Sequence, residues 1–411
     1  MSPTTSSNRR TKLRKSFLPY ALPTIGQEEI DEVVDSLRSG WITTGPKVAK
    51  FEEEFAQYVG CRHAIAVNSC TAALHVILAA LGIRPGDEVI VPTLTFCSTA
   101  HVVAHLGATP VIVDVDEDSQ ISVDAVERAI TWKTRAILPV HYGGQPCDLG
   151  EILQLAEERG IDVVEDAAHA VGCEYQGRKI GTHGRATAFS FYATKNLATG
   201  EGGMITTADT KLAERMRPLV LHGMTHDAWN RYTKQGSWYY EVADLGFKYN
   251  MTDIQAAMGI HQLRKLDRMN ARRIEIAAKY NAAFAKIPEL EIPTLGEERT
   301  HVYHLYPIQI SGLRIDRSVF INELKKANIG TSVHFIPLHR HPFYQKRYGY
   351  RIGDFPMAEK IYSGLVSLPL YPRMTDDDVQ YVIEAVTHIV RKNRGKPRAI
   401  QLRALGANGS S

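Results

Sequence analysis

AILPVHYGGQPCDLGEILQLAEERGIDVVEDAA, residues 136–168, holds the unit from which the fold is read. Two continuous apolar runs, AILPVH (136–141) and DVVEDAA (162–168), flank DLGEILQLAEERG, a segment of helical spacing that stops at Gly160. Apolar runs without alternation belong to strands covered on both faces, and glycine is the common residue just past a helix. The same pattern recurs on either side. AIAV (64–67), EVIVP (88–92), PVIVDVD (110–116), ATAFSFY (186–192) and GMITT (203–207) read as further strands. TAALHVILAALG reads as a helix with Leu74, Ile77, Leu78 and Leu81 at helical spacing and Gly82 as its stop. Strands alternating with helices define an α/β fold whose sheet is mainly parallel and wrapped on both faces.

Beyond Thr207 the pattern changes. Residues 223–249 are polar and aromatic (Trp229, Tyr232, Trp238, Tyr239, Tyr240), a helical stretch runs from about Thr252 to Lys286, and short mixed elements follow to about Arg391. The expected organisation is a basic, disordered segment at 1–17, a large domain at 18–255, a smaller C-terminal α/β domain at 256–395 and a disordered tail at 396–411. A chain of 411 residues, 44% hydrophobic and 23% charged, has ample material for both cores. Its formal net charge of +3 selects no partner. The basic runs Arg9–Lys15 and Arg391–Arg398 lack interleaved aromatics, so they read as solvated ends and not as nucleic-acid contacts. Five scattered cysteines, without a CxxC pair, fit reduced thiols in a cytoplasmic protein. The longest apolar run, Ala72–Ile83, contains His75 and is too short to span a bilayer, so no membrane partner is expected. In HFIPLHRH, Pro337 interrupts any helix that would align His334, His339 and His341, and no acidic or cysteine ligand lies near, so no metal site is expected.

Three segments carry candidate chemistry at strand ends, where open parallel sheets bind ligands. In NSCTAAL (68–74) a strand gives way to a helix at Ser69, Cys70 and Thr71, which is a phosphate cradle or a plain N-cap. In VVEDAAHA (163–170), Asp166 ends an apolar strand and needs a cationic partner, either a protonated pyridine nitrogen or one of the protein's own basic residues. In SFYATKN (190–196), Lys195 follows an apolar strand and precedes the glycine-rich TGEGG. A desolvated lysine there is a Schiff-base nucleophile and proton shuttle, whereas most lysines are surface residues. Ser190 on the same strand is a phosphate donor candidate. The aromatic segment 223–249 reads either as core or as a lid that closes the site and touches a partner subunit.

These segments, in this order with GWITTGPKVAKFEEEFA (40–56), PGDEVIVPTLTF, LGATPVIVDVD, GFKYNMTDIQAA (246–257) and SLPLYPRMTDDDV, resemble the DegT/DnrJ/EryC1/StrS family of sugar aminotransferases from about Leu18 to Val390. EDAAHAVG, GFKYNMTDIQAA and IGTSVHF resemble most the UDP-4-amino-4-deoxy-L-arabinose transaminase type. The resemblance implies an aspartate-aminotransferase-like fold with a mostly parallel seven-stranded sheet and one antiparallel strand. It also implies a homodimer with shared active sites, and pyridoxal 5'-phosphate held on Lys195. Asp166 would face the pyridine nitrogen, and His169 the phenolic edge. Phe96 and Ala168 would cover the two faces of the ring. Thr71, Ala72 and Ser190 would hold the phosphate, with Asn250 reaching it from the neighbouring subunit, and His334 would lie near the substrate. Phe96 stands where relatives often carry tryptophan, so an indole N–H is lost while stacking is kept. The implied reaction moves the amino group of L-glutamate, leaving 2-oxoglutarate, to a nucleotide-linked keto sugar at C4. Alternatives are a 3-keto sugar nucleotide, a keto-cyclitol, or a cofactor-binding regulator without turnover. Thr43, Lys47, Arg231 and Lys248 are candidate substrate contacts.

Overall fold

A computed structural model describes residues 14–224 and 239–395. The expectations for most of the N-terminal segment, for the tail at 396–411, and for Trp229, Arg231, Tyr232 and Trp238 lie outside the described residues. Of the N-terminal segment, Arg14 is held by an ion pair to Asp378, and its amide donates to the hydroxyl of Tyr381.

Seven strands form the central sheet: β1 His63–Val67, β2 Glu88–Pro92, β3 Thr109–Val113, β4 Thr134–Ile137, β5 Asp162–Asp166, β6 Ala186–Ser190 and β7 Gly203–Thr207. Their order is β1-β7-β6-β5-β4-β2-β3. All neighbours are parallel except β7, which runs antiparallel to both β1 and β6. Alternate residues of single strands enter different cores. Ile65 and Val67 join one with Val89 and Val91, while Ala64 and Ala66 join the other with Ile90. That division explains why these strands read as continuous apolar runs.

The first core is filled from helix α3, Cys70–Leu81, the second from α2, Pro46–Val59, and α6, Leu149–Arg159. Gly82 and Gly160 end α3 and α6 in the left-handed conformation, as the sequence predicts. A third core surrounds a three-stranded antiparallel sheet of β8 Leu290–Glu291, β9 Tyr306–Ile310 and β10 Leu365–Leu368.

Several expectations change in detail, and AILPVH, DVVEDAA and ATAFSFY overrun β4, β5 and β6, which end at Ile137, Asp166 and Ser190. The helical stretch from Thr252 to Lys286 is two helices, Asp253–Arg264 and Leu266–Phe284, separated where Lys265 leaves helical geometry. The buried Lys265 ammonium lies 3.1 Å from Glu28 and 2.5 Å from Glu29. The run PVIVDVD stops being strand at Val113, because the Asp114 carboxylate turns to accept the amides of Met357 and Ala358, both at 2.9 Å. From outside the helix Pro356–Gly364 it thereby satisfies two amides of the first turn, which the N-cap residue Phe355 leaves unbonded.

Where β1 passes into α3, the antiparallel β7 approaches closely. A Cβ on Gly203 would lie 2.6 Å from the carbonyl carbon of Ser69 and 2.8 Å from the amide of Cys70. Only glycine fits without displacing that turn. Gly203→Ala is expected to cost about 1–3 kcal/mol through overpacking, read as a lower urea midpoint at an unchanged slope.

Candidate active site

A cavity of about 500 Å³ lies at the carboxyl ends of β1, β5 and β6 and is lined from the C-terminal part of the chain by His304, His334 and Phe335. Ser69, Cys70 and Thr71 form one wall. The Ser69 hydroxyl caps α3 by accepting the amide of Ala72 at 3.1 Å. Ala72 therefore stands behind the wall with its N–H engaged. Among the described residues, the amides of Cys70 and Thr71 take no acceptor, and they carry the positive end of the helix dipole. The N-cap and phosphate-cradle readings of this turn are thus compatible, because different groups serve each. Ser190 also lines the cavity.

Asp166 ends β5 with its carboxylate buried. Oδ2 accepts the Thr99 hydroxyl at 3.0 Å, and Thr99 in turn meets Thr95 at 2.8 Å. Oδ1 accepts the Ala168 amide at 3.1 Å and lies 3.8 Å from the Cys70 thiol. Burial raises its pKa above the ordinary carboxylate value despite the Ala168 amide, the Thr99 hydroxyl and the nearby Lys195. Such a carboxylate is suited to facing a cation.

Lys195 sits in a turn just after β6, its amide donating to the carbonyl of Tyr192 at 2.8 Å, and its side chain lines the same cavity. Burial lowers its amine to about 8, opposed by Cys70 and Asp166. Phe96, 58% exposed, stands at the mouth, and Ala168 and His169 continue the wall. Burial first, and Lys195 next, hold His169 well below the usual imidazole range. His334 has its Nδ1 2.9 Å from the Ser367 hydroxyl, and burial lowers it to about 4. Burial lowers the pKa of His339 as well, and this ring is held away from the cavity between Thr93 and Glu359, at 2.7 Å on each side.

A second group of the expected site residues gathers outside this cavity. Asn250 donates to Thr44 at 2.8 Å and accepts from Lys248 at 2.5 Å, and the Thr43 carbonyl accepts the amide of Asp253 at 2.9 Å. The Lys47 ammonium is bracketed by Glu32 and Asp35, each at 2.8 Å, so its charge is already neutralised. Arg231 lies outside the described residues. Sequence reasoning missed His304 and Phe335, whose side chains complete the cavity. A single histidine before an apolar strand carries no motif, and only the packing of the third core against the sheet brings it in.

This sheet order, with a half-buried lysine facing a buried carboxylate at the strand ends, is that of a fold type I pyridoxal-phosphate enzyme. The family model for DegT/DnrJ/EryC1/StrS aminotransferases matches residues 23–387, and the chain belongs to that family. It is 57% identical over 383 residues to the spore coat polysaccharide biosynthesis protein SpsC of Bacillus subtilis, covering 92% of this chain and 98% of that one. Among solved structures it is similar to Spr1654 of Streptococcus pneumoniae, described as a sugar aminotransferase and solved in PMP and PLP forms. For the PMP form the TM-score is 0.86 at 36% identity, covering 91% of this chain and 99% of that one. PseC of Helicobacter pylori, an aminotransferase involved in pseudoaminic acid biosynthesis, matches with a TM-score of 0.83 at 29% identity, covering 92% and 100% of the two chains.

The cofactor is pyridoxal 5'-phosphate. The cavity fits it: free amides at a helix start for a phosphate, a buried carboxylate for a ring nitrogen, and an amine of lowered pKa for the aldehyde. Because the Lys195 amine loses its proton at about pH 8, its labelling in the cofactor-free protein should rise through that pH and not near the ordinary lysine value. Peptide mapping after timed reaction with an amine-selective reagent checks this.

Proposed function

We propose that the protein transfers the amino group of L-glutamate to C4 of a UDP-linked keto sugar, in the synthesis of an amino sugar for a cell-surface polysaccharide or a glycosylated metabolite. The observation that carries this reading is the shared cavity of Lys195 and Asp166, backed by the α3 turn. The sugar acceptor is supported by the solved relatives named as sugar aminotransferases and by the polysaccharide role in the name of SpsC. The UDP and C4 preferences rest on EDAAHAVG, GFKYNMTDIQAA and IGTSVHF.

In this reading Thr71, Cys70 and Ser190 orient a phosphate, Phe96 and Ala168 confine a flat ring between them, and Asp166 keeps a ring nitrogen protonated. Bound there, pyridoxal phosphate supplies an electron sink that acidifies the carbon bearing the amine. Lys195 Nζ, neutral above about pH 8, takes the proton released from the α-carbon of glutamate. In the return direction it delivers a proton to the sugar carbon that receives the amine. His169, kept neutral by burial, donates from its ring without adding charge. His334 lies on the substrate side of the cavity, and Phe335 helps exclude water.

Asn250, Lys248 and Thr43 do not line the cavity of their own chain, which accords with service to the site of a second copy in a homodimer. Arg231 and Lys248 are the proposed contacts for the diphosphate, with Lys47 left to Glu32 and Asp35. The proposed location is the cytoplasm, and among the described residues no helix is long and apolar enough to cross a membrane.

A panel of keto sugar nucleotides and a keto-cyclitol, each with glutamate, tests the assignment by 2-oxoglutarate release. The UDP-linked 4-keto sugar is expected to be the best acceptor, and a preference for the cyclitol or a 3-keto sugar would replace it. Lys195→Ala should abolish transfer, while Asp166→Asn should retain the fold and lose about 10²–10⁴-fold in kcat through loss of the electron sink.

A further inference from the structure

His304 lines the catalytic cavity and is 7% exposed, and the roles assigned above do not use it. Its ring is oriented by a chain of side-chain amides anchored in the backbone. Asn270 Nδ2 donates to the carbonyl of Val171 at 3.2 Å, which leaves Asn270 Oδ1 to accept from Asn196 Nδ2 at 2.8 Å. Asn196 Nδ2 also donates to the carbonyl of Val302 at 3.3 Å. Turning the Asn196 amide over would set its oxygen against two other oxygens, so the orientation is fixed. Asn196 Oδ1 therefore faces His304 Nδ1, 3.1 Å away, and Nδ1 carries the hydrogen.

Burial, then the charges of Lys195 and its neighbours, hold the His304 imidazole well below the usual range, so it is neutral. Its Nε2 keeps a lone pair, and the hydrogen bond of its ring among the described residues is the one on Nδ1. His169, whose ring lies 4.5 Å from that of His304, has the opposite arrangement. The Gly143 amide donates to His169 Nδ1 at 3.3 Å, so its hydrogen is on Nε2. Of the imidazoles that line the cavity, these two neighbours are thus both neutral, one a donor and the other an acceptor.

We propose that His304 Nε2 accepts a hydrogen bond from the sugar hydroxyl next to the reacting keto carbon, which makes His304 a specificity-determining residue for the acceptor substrate. This rests on the function proposed above. Of the two substrates, glutamate offers only carboxylate oxygens once its amine is engaged, and these are acceptors that an acceptor nitrogen disfavours. The sugar offers O–H donors. An acceptor whose tautomer is fixed by Asn196 and Asn270 costs no reorganisation when the sugar binds, and it is left unsatisfied when the hydroxyl is missing.

The test measures the two half-reactions of the holoenzyme separately, with glutamate and with a UDP-linked 4-keto hexose or its 3-deoxy counterpart. The wild-type enzyme should prefer the hydroxylated sugar by about 10- to 100-fold in kcat/KM. His304→Phe, which keeps a ring beside His169, should lower the sugar half-reaction about 10- to 100-fold more than the glutamate half-reaction and should erase that preference. Equal use of both sugars by the wild type, or a preference that survives in the variant, overturns the proposal. Absence of any sugar half-reaction in the wild type, with glutamate still reacting, overturns the functional reading and this inference with it. Nitrogen-15 spectra of labelled histidine in the wild-type holoenzyme give a readout independent of turnover and of the variant's folding. A neutral His304 protonated on Nδ1 is expected, and protonation on Nε2 would contradict the assignment.

Discussion

A carboxylate buried at the end of a strand is the constraint around which the rest of the structure is organised. Glu165 and Asp166 are consecutive on β5 and, through the strand's alternation, face opposite sides of the sheet. Burial would raise both, but the two are treated differently. Glu165 is paired with His141 at 2.9 Å and accepts the Gly184 amide at 2.7 Å and the Thr187 hydroxyl at 2.9 Å, and these partners pull its pKa below the usual value. Asp166 receives the Thr99 hydroxyl, the Ala168 amide and a distant thiol, and it stays raised. One carboxylate is satisfied within the protein. The other retains capacity to accept from a cation, and it is the one that opens into the cavity with Lys195. Under-satisfied buried groups are costly unless a ligand completes them.

The segment 302–305 is held at this site by a tight turn, Tyr142–Gly144, that follows β4: the Val302 amide donates to the Gly144 carbonyl at 2.9 Å and the Leu305 amide to that of Gly143 at 3.0 Å. The Tyr142 hydroxyl donates to the His334 carbonyl, and the Gly143 amide holds His169. Gly144, at φ +102°, lets the chain pass where a Cβ would lie 2.9 Å from the His304 amide and 3.0 Å from the His169 carbonyl. Three imidazoles are therefore set by one turn, and small changes there are felt on both sides of the cavity. Each ring is kept neutral by burial, so they shape the cavity by hydrogen bonding and leave its charge to Lys195, Asp166 and Glu201.

Much of this was legible in the sequence because the physics is local. Continuous apolar runs gave all seven strands of the sheet, and glycine stops gave the ends of α3 and α6. The antiparallel β7 was not readable from its own residues, since GMITT has the composition of any covered strand; the family resemblance implied one antiparallel strand, and the pairing identifies it. Asp166 and Lys195 were legible as charged residues at apolar strand ends, a placement that is expensive without a use. The limits of PVIVDVD and the break at Lys265 depended on partners more than 200 residues away, Met357 and Ala358 in one case and Glu28 and Glu29 in the other. His304 was hidden for the same reason. Its meaning comes from Asn196, Asn270 and two carbonyls that only the fold assembles. Lys47 illustrates the opposite error, a basic residue in a suggestive motif whose charge is already matched by its neighbours.

The account stands on one amine carrying the cofactor beside one buried acid. Borohydride reduction of the purified enzyme, followed by digestion and mass spectrometry, tests this most directly. A phosphopyridoxyl group should be fixed on Lys195 and on no other lysine, whereas a label elsewhere in the chain, or none from an enzyme that still carries bound cofactor, would contradict it.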